Sequence, residues 1–157
     1  MKKIFFIFTT LVVFAGILFF WQSSPDVVQI SLAGEKVEVF KTPECGCCGV
    51  YVNYLSRSGV EVEAKNVSNF ELGKMKEEYG IPQSLSSCHT SFVAGYAIEG
   101  HIPLEVIEKL LTEKPDIKGI ALPGMPSGTP GMPGPKTEDW VIYATSNDGE
   151  IYEFIKI

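Results

Sequence analysis

The sequence is poor in positive charge. Its 157 residues carry 13 Lys and Arg against 19 Asp and Glu, for a formal net charge of −6 and a pI near 4.9. A nucleic-acid partner needs a basic face, so this balance excludes that class. Charge is missing altogether from Ile4 to Trp21. That run has no polar face either, which excludes a buried helix of a soluble domain. As a helix it spans about 27 Å, close to the hydrocarbon thickness of a bilayer. A good small-x-small cleavage site is also lacking. Gln22-Ser23-Ser24-Pro25 follows the run, and Ser31-Leu32-Ala33 lies far from it. A cleaved signal peptide stays open, but an uncleaved signal anchor is the favoured reading. Lys2 and Lys3 favour a cytoplasmic N-terminus, which places the rest of the chain outside the cytoplasm. The expected organisation is an anchor or signal over residues 1–24 and one domain over residues 25–157, with a core of its own.

Within that domain the periodicity alternates between strand and helix. Val27 to Leu32 reads as a strand, Ala33-Gly34 as a turn and Lys36 to Lys41 as a second strand. A helix is expected from Cys48 to Arg57, with Val50, Tyr51, Tyr54 and Leu55 on its inner face and Gly59 as its stop. Val60, Val62 and Ala64 alternate as a strand. Ser68 and Glu71 form a capping-box pattern opening a helix that turns Phe70, Met75 and Tyr79 inward. Ser84 to Thr90 reads as a polar loop. A hairpin turns at Ala94-Gly95, between Thr90–Val93 and Tyr96–Glu99. Pro103 opens a helix with Leu104, Ile107, Leu110 and Leu111 on its face, and Pro115 ends it. A Pro/Gly-rich loop runs from Leu122 to Pro135. Trp140–Thr145 and Ile151–Ile157 close the chain as a hairpin around Asn147-Asp148-Gly149. Strand, cysteine motif, helix, strand, helix, hairpin, helix is the order of a thioredoxin-like α/β sandwich with a mixed central sheet. The hairpins at each end would decorate it.

The chemistry concentrates in the cysteines. Three of the four lie in Cys45-Gly46-Cys47-Cys48, between a strand and a helix, and the fourth is Cys88. In an exported chain four cysteines ordinarily suggest two disulfides. Cys45 and Cys48 form a C-x-x-C pair where helix N–H groups stabilise a thiolate, as in a thiol-disulfide oxidoreductase. Cys47 complicates that cycle, because a third thiol beside the pair scrambles the disulfide. In a thioredoxin-like topology the loop before Thr90 faces the C-x-x-C, so Cys88 is expected to meet the other three. Adjacent Cys47 and Cys48 diverge and do not easily serve a single zinc ion. Bridging thiolates relax that limit, and Cu(I) accepts two or three sulfurs. A multinuclear, thiolate-bridged Cu(I) site on Cys45, Cys47, Cys48 and Cys88 is therefore the sharper reading. Redox thiols on Cys45 and Cys48, and structural disulfides, remain its alternatives.

Secondary candidates surround this set. His89 adjoins Cys88 as a ligand or as a donor behind the ligands. His101, between Gly100 and Ile102, is read as capping or packing ahead of metal ligation. Met125 and Met132 repeat in Pro-Gly-Met-Pro at a spacing of seven, and their thioethers suit Cu(I), although filling apolar gaps is the plainer role.

Several separated motifs resemble one family. Cys45-Gly46-Cys47-Cys48, Ser87-Cys88-His89-Thr90, Tyr96 to Pro103 and Gly119 to Met132 are similar, in order, to the exported copper-resistance-associated proteins of the CopG type. The resemblance covers roughly residues 35–145. It implies a thioredoxin-like fold and copper ions held by Cys45, Cys47, Cys48 and Cys88. It also implies a role in periplasmic copper handling, with redox interconversion of copper, and copper donor or acceptor proteins are the expected partners; the inner-membrane anchor at residues 4–21 is read from the apolar run alone and lies outside the resemblance.

Overall fold

A computed structural model of the protein describes residue 32 and residues 34–157. In chain order the elements are β1 (Lys36–Lys41), α1 (Gly46–Arg57), β2 (Glu61–Asn66) and α2 (Asn69–Glu78). A short 3-10 turn at Gln83–Leu85 leads to β3 (His89–Val93), β4 (Tyr96–Glu99), α3 (Leu104–Glu113), β5 (Ile117–Ala121), β6 (Val141–Ser146) and β7 (Ile151–Lys156). The strands form one mixed sheet in the order β2-β1-β3-β4-β5-β6-β7. β1 runs parallel to β2, and β4 parallel to β5; the other neighbours are antiparallel. The two parallel pairs are those whose connection contains a helix, α1 in one case and α3 in the other, as such pairing requires.

The helices lie on both faces of the sheet. Strand side chains alternate between faces, so neighbours in β3 point opposite ways. Phe92 meets Tyr79 of α2, and Glu99, which shares that face through the Thr90–Glu99 pairing, meets Lys76 of α2. His89 points the other way and packs on Tyr51 of α1. Tyr51 also ties α1 to the start of α3 by donating to the Ile102 carbonyl at 2.8 Å. Beneath α1 and α3 lies the main core, which includes Val37, Val39, Leu55, Ile98, Ile107, Leu110 and Ile120, together with Leu32.

The capping box at Ser68 and Glu71, the Ala94-Gly95 hairpin and the C-terminal hairpin occur as expected. Other expectations fail for physical reasons. Over Glu38–Lys41, β1 is paired on both edges, with β2 and with β3. It therefore has no edge for an N-terminal hairpin partner; of the strand expected there, Leu32 is a buried turn residue and residues 27–31 lie outside the described part. Val50 is exposed, because the inner face of α1 is carried by Cys48, Tyr51 and Leu55. Phe70 is 70% exposed with the Lys74 ammonium over its ring. The inner stripe of α2 is instead Leu72 and Lys76, with Met75 and Tyr79 half-buried. A hydrophobicity pattern ranks Phe above Lys, but Lys76 has a buried carboxylate waiting for it. The anchor or signal segment at residues 4–21 lies outside the described residues. Among the described residues no helix is long and apolar enough to cross a membrane.

β5 is the strand that the sequence pattern does not announce. Gly119 interrupts its alternation and lies at a register shift, opposite Ala97. A Cβ at position 119 would fall on the Ala97 carbonyl oxygen, so the backbones approach too closely for any side chain. Gly119→Ala is expected to destabilise the domain by at least about 1–3 kcal/mol, read as a lower urea midpoint with an unchanged slope.

Candidate metal centre

The strand register brings the cysteines together. Lys41, the last residue of β1, pairs with His89, the first of β3. Cys88 therefore sits directly beside the exit of β1, where the chain turns through Thr42–Glu44 into α1. Cys45 occupies the N-cap position of α1, with extended backbone, and its side chain caps nothing. Cys47 and Cys48 follow in the first turn. All three thus sit where unpaired helix N–H groups and the positive end of the dipole favour a negative sulfur.

The distances are short. Cys45 and Cys48 are joined as a disulfide with Cα atoms 5.4 Å apart, while Cys47 and Cys88 are free thiols. Sulfur–sulfur separations are 3.6 Å for Cys45–Cys47, 3.8 Å for Cys47–Cys88 and 3.5 Å for Cys48–Cys88. Cys48 is fully buried and the other three are half-buried. All four sulfurs lie within 4.8 Å of one another. The expected juxtaposition of Cys88 with the cysteine motif is thus present in space.

Both histidines are buried here, and both reach Cys88. His89 is not on a loop; it begins β3, with Nδ1 3.5 Å from the Cys88 sulfur. Its Nε2 has no partner among the described residues. His101 does not cap α3, a position held by Pro103. Instead its Nε2 lies 3.2 Å from the Cys88 sulfur and its Nδ1 2.7 Å from the Pro130 carbonyl oxygen. A carbonyl only accepts, so Nδ1 carries the proton and Nε2 is the acceptor. Sequence reasoning weighed His101 as a ligand but ranked capping or packing first. Its signal was the strand pairing: Glu99 lies opposite Thr90, so Gly100-His101 leaves β4 beside Cys88-His89.

Burial sets the protonation states. It pushes the Cys88 thiol up to about 12, with the neighbouring Cys47 sulfur adding to the rise. It lowers His89 to about 3, helped by His101 and the Lys76 charge, and lowers His101 as well, against the pull of Pro130. Both imidazoles are held neutral at pH 7, with a lone pair available.

Behind Cys88 lies a buried ion pair. Lys76 Nζ donates to Glu99 Oε1 at 2.6 Å, to the Ser87 carbonyl at 2.5 Å and to Ser86 Oγ at 3.0 Å. Glu99 also accepts from the Ser87 N–H at 2.5 Å and from Thr90 Oγ1 at 2.6 Å. These bonds fix the Ser87 backbone just before Cys88 and hold the Thr90 side chain after it. A cleft of about 550 Å³ opens between α2 and this loop, lined in part by Cys45, Lys76, Gln83, Ser87 and Cys88.

The Pro/Gly loop covers the opposite side. Gly131 has φ +86°, and a Cβ there would stand 2.9 Å from the Tyr51 nitrogen, 3.0 Å from the Cys47 oxygen and 3.1 Å from His101 Nδ1. The loop backbone therefore lies directly on the first turns of α1. Met132 follows Gly131, half-buried, with its N–H bonded to the Thr129 carbonyl. Met125 is exposed, with φ +49°.

Known proteins share these segments. Residues 85–132 match the family described as "Protein of unknown function, DUF411", a stretch that contains Cys88, His89, His101 and both methionines. No curated protein matches the chain. Two solved structures are similar. Copper resistance protein CopG, form 2, is 31% identical with a TM-score of 0.70, and covers 78% of this chain and 98% of its own. Form 1 is 30% identical with the same TM-score, covering 78% and 96%.

Two outcomes follow from the geometry. Lys76→Met leaves the Glu99 carboxylate buried without a counter-charge and is expected to cost about 3–5 kcal/mol in chemical denaturation. The double variant with Glu99→Gln should recover part of that loss. In metal-free protein the Cys88 thiol should be alkylated more slowly at pH 8 than a thiol of the unfolded chain. Because its folded-state pKa lies above the unfolded one, the stability that it contributes is fully present below about pH 9 and declines as pH rises toward 12. Unfolding midpoints of wild type and Cys88→Ser across that range should converge.

Proposed function

The chain belongs to the CopG-like copper-resistance family, and from that premise we propose that it is an extracytoplasmic copper-handling protein whose Cys45, Cys47, Cys48 and Cys88 together hold Cu(I). The observation that carries this is the convergence of four sulfurs from two distant parts of the sequence. Thiolates sharing one tetrahedral ion, with bonds of about 2.3 Å, sit roughly 3.8 Å apart. The Cys45–Cys47, Cys47–Cys88 and Cys48–Cys88 separations of 3.5 to 3.8 Å are close to that spacing, and opening the Cys45–Cys48 bond frees the remaining pair to reach it. Thiolates are soft donors, and with Cys47 and Cys48 adjacent, bridging between several Cu(I) ions uses all four better than one ion does. The order of elements from β1 to α3 supports a thioredoxin-like sandwich, extended by β5, β6 and β7. Residues 4–21 would anchor the domain to the membrane.

The four-thiolate form is the reduced one. A dithiol reductant would supply the two electrons that open Cys45–Cys48, becoming a disulfide itself. Metal then displaces the remaining thiol protons, so loading releases protons and weakens as pH falls. The Cys45–Cys48 disulfide at a helix N-terminus favours one second reading, a thiol-disulfide oxidoreductase that uses this pair. The two readings part at Cys47, which only the copper reading needs.

Titration of the reduced full chain against a competing Cu(I) chelator separates them. Several Cu(I) per chain are expected, with a lower count in Cys47→Ser. Copper retention near zero, together with insulin reduction that survives Cys47→Ser, would reverse the assignment.

A further inference from the structure

We propose that His101 is a nitrogen ligand to the copper bound at Cys88, so that the site has one mixed sulfur–nitrogen corner beside the Pro/Gly loop. The inference rests on the copper reading and adds a donor that the four cysteines do not supply.

Three features of the imidazole point this way. Its Nδ1–H donates to the Pro130 carbonyl at 2.7 Å, which leaves the Nε2 lone pair free. A metal-bound histidine is normally oriented in this way, by a carbonyl or carboxylate on its far nitrogen. Nε2 then faces the Cys88 sulfur at 3.2 Å. A sulfur and a nitrogen on one tetrahedral ion, with bonds of about 2.3 and 2.0 Å, stand roughly 3.5 Å apart. The observed separation needs only a small adjustment. Finally, the ring is fully buried, so water does not compete for the lone pair.

His89 is the instructive contrast. It too approaches the Cys88 sulfur, by Nδ1 at 3.5 Å, but its Nε2 has no partner among the described residues. Among the described residues only the Cys88 sulfur approaches its ring nitrogens, and no carbonyl or carboxylate fixes its tautomer. The two rings meet edge to face, with centroids 4.9 Å apart. His89 thus supports the His101 ring from behind, while the Pro130 carbonyl selects His101 as the donor.

The position of the loop fits this role. Gly131 leaves no room for a side chain against His101 Nδ1, so the Pro130 carbonyl is held at bonding distance by backbone packing. The loop would act on the metal through the imidazole.

X-ray absorption at the copper edge of the reduced, copper-loaded full chain tests the proposal. The wild-type spectrum should contain imidazole scattering beside the sulfur shell. His101→Asn places an amide N–H where Nδ1–H stood, so it keeps a donor for Pro130 and removes the imidazole. It should lose that scattering and bind at least one copper about tenfold or more weakly. A wild-type spectrum of sulfur alone would overturn the inference and leave the copper reading standing. Imidazole scattering that survives His101→Asn would overturn it too, and move the nitrogen donor to His89. A wild-type chain that retains no copper ends both readings. If the variant does not fold, the wild-type spectrum still decides between a mixed and an all-sulfur site.

Discussion

Glu99 has no exposure to solvent, and its charge stays inside the protein because Lys76, the Ser87 N–H and the Thr90 hydroxyl surround it. Removing two charges from water costs several kcal/mol per ion, so such a pair is weak evidence of stabilisation for its own sake. Its effect here is positional. Lys76 comes from α2, Glu99 from the end of β4, and both grip Ser87. Cys88 is the next residue. The placement of the fourth sulfur therefore depends on a helix and a strand that carry no metal-binding side chain between them.

The local part of this design was readable in the sequence. Cys45-Gly46-Cys47-Cys48 announces itself by crowding, and the strand before it and the helix after it follow from period-two and period-3.6 patterns. Cys88 was reachable at one remove, because the topology brings its loop to the motif. His101 was ranked as capping or packing ahead of ligation, since its position beside Cys88 depends on two things that no local pattern encodes: its exit from β4 beside β3, and a carbonyl that returns from position 130. Lys76 went unremarked in the sequence for a related reason. A lysine reads as a surface residue until its buried partner, contributed by another element, is known. Phe70, which the pattern turned inward, lies outside on the same helix. The strand order left no free edge on β1, and only pairing across the sheet could reveal that.

β3 serves two sides of the molecule at once. His89 faces α1 and the sulfurs, while its neighbour Thr90 faces α2 and the buried carboxylate. A residue change on either face is thus felt at the junction of the two, where Cys88 enters the strand. The raised pKa of Cys88 expresses the same setting in electrostatic terms. Burial resists a bare thiolate there, and a bound cation removes that resistance.

The loop from Leu122 to Pro135 has a consequence of a different kind. Pro123, Pro126, Pro130, Pro133 and Pro135 each fix a backbone angle. Ser127, Thr129 and Met132 close internal hydrogen bonds across it. Such a segment has already surrendered most of its conformational entropy on folding. A metal arriving at the sulfurs would find that wall in place, and little of its binding free energy would be diverted into ordering the chain.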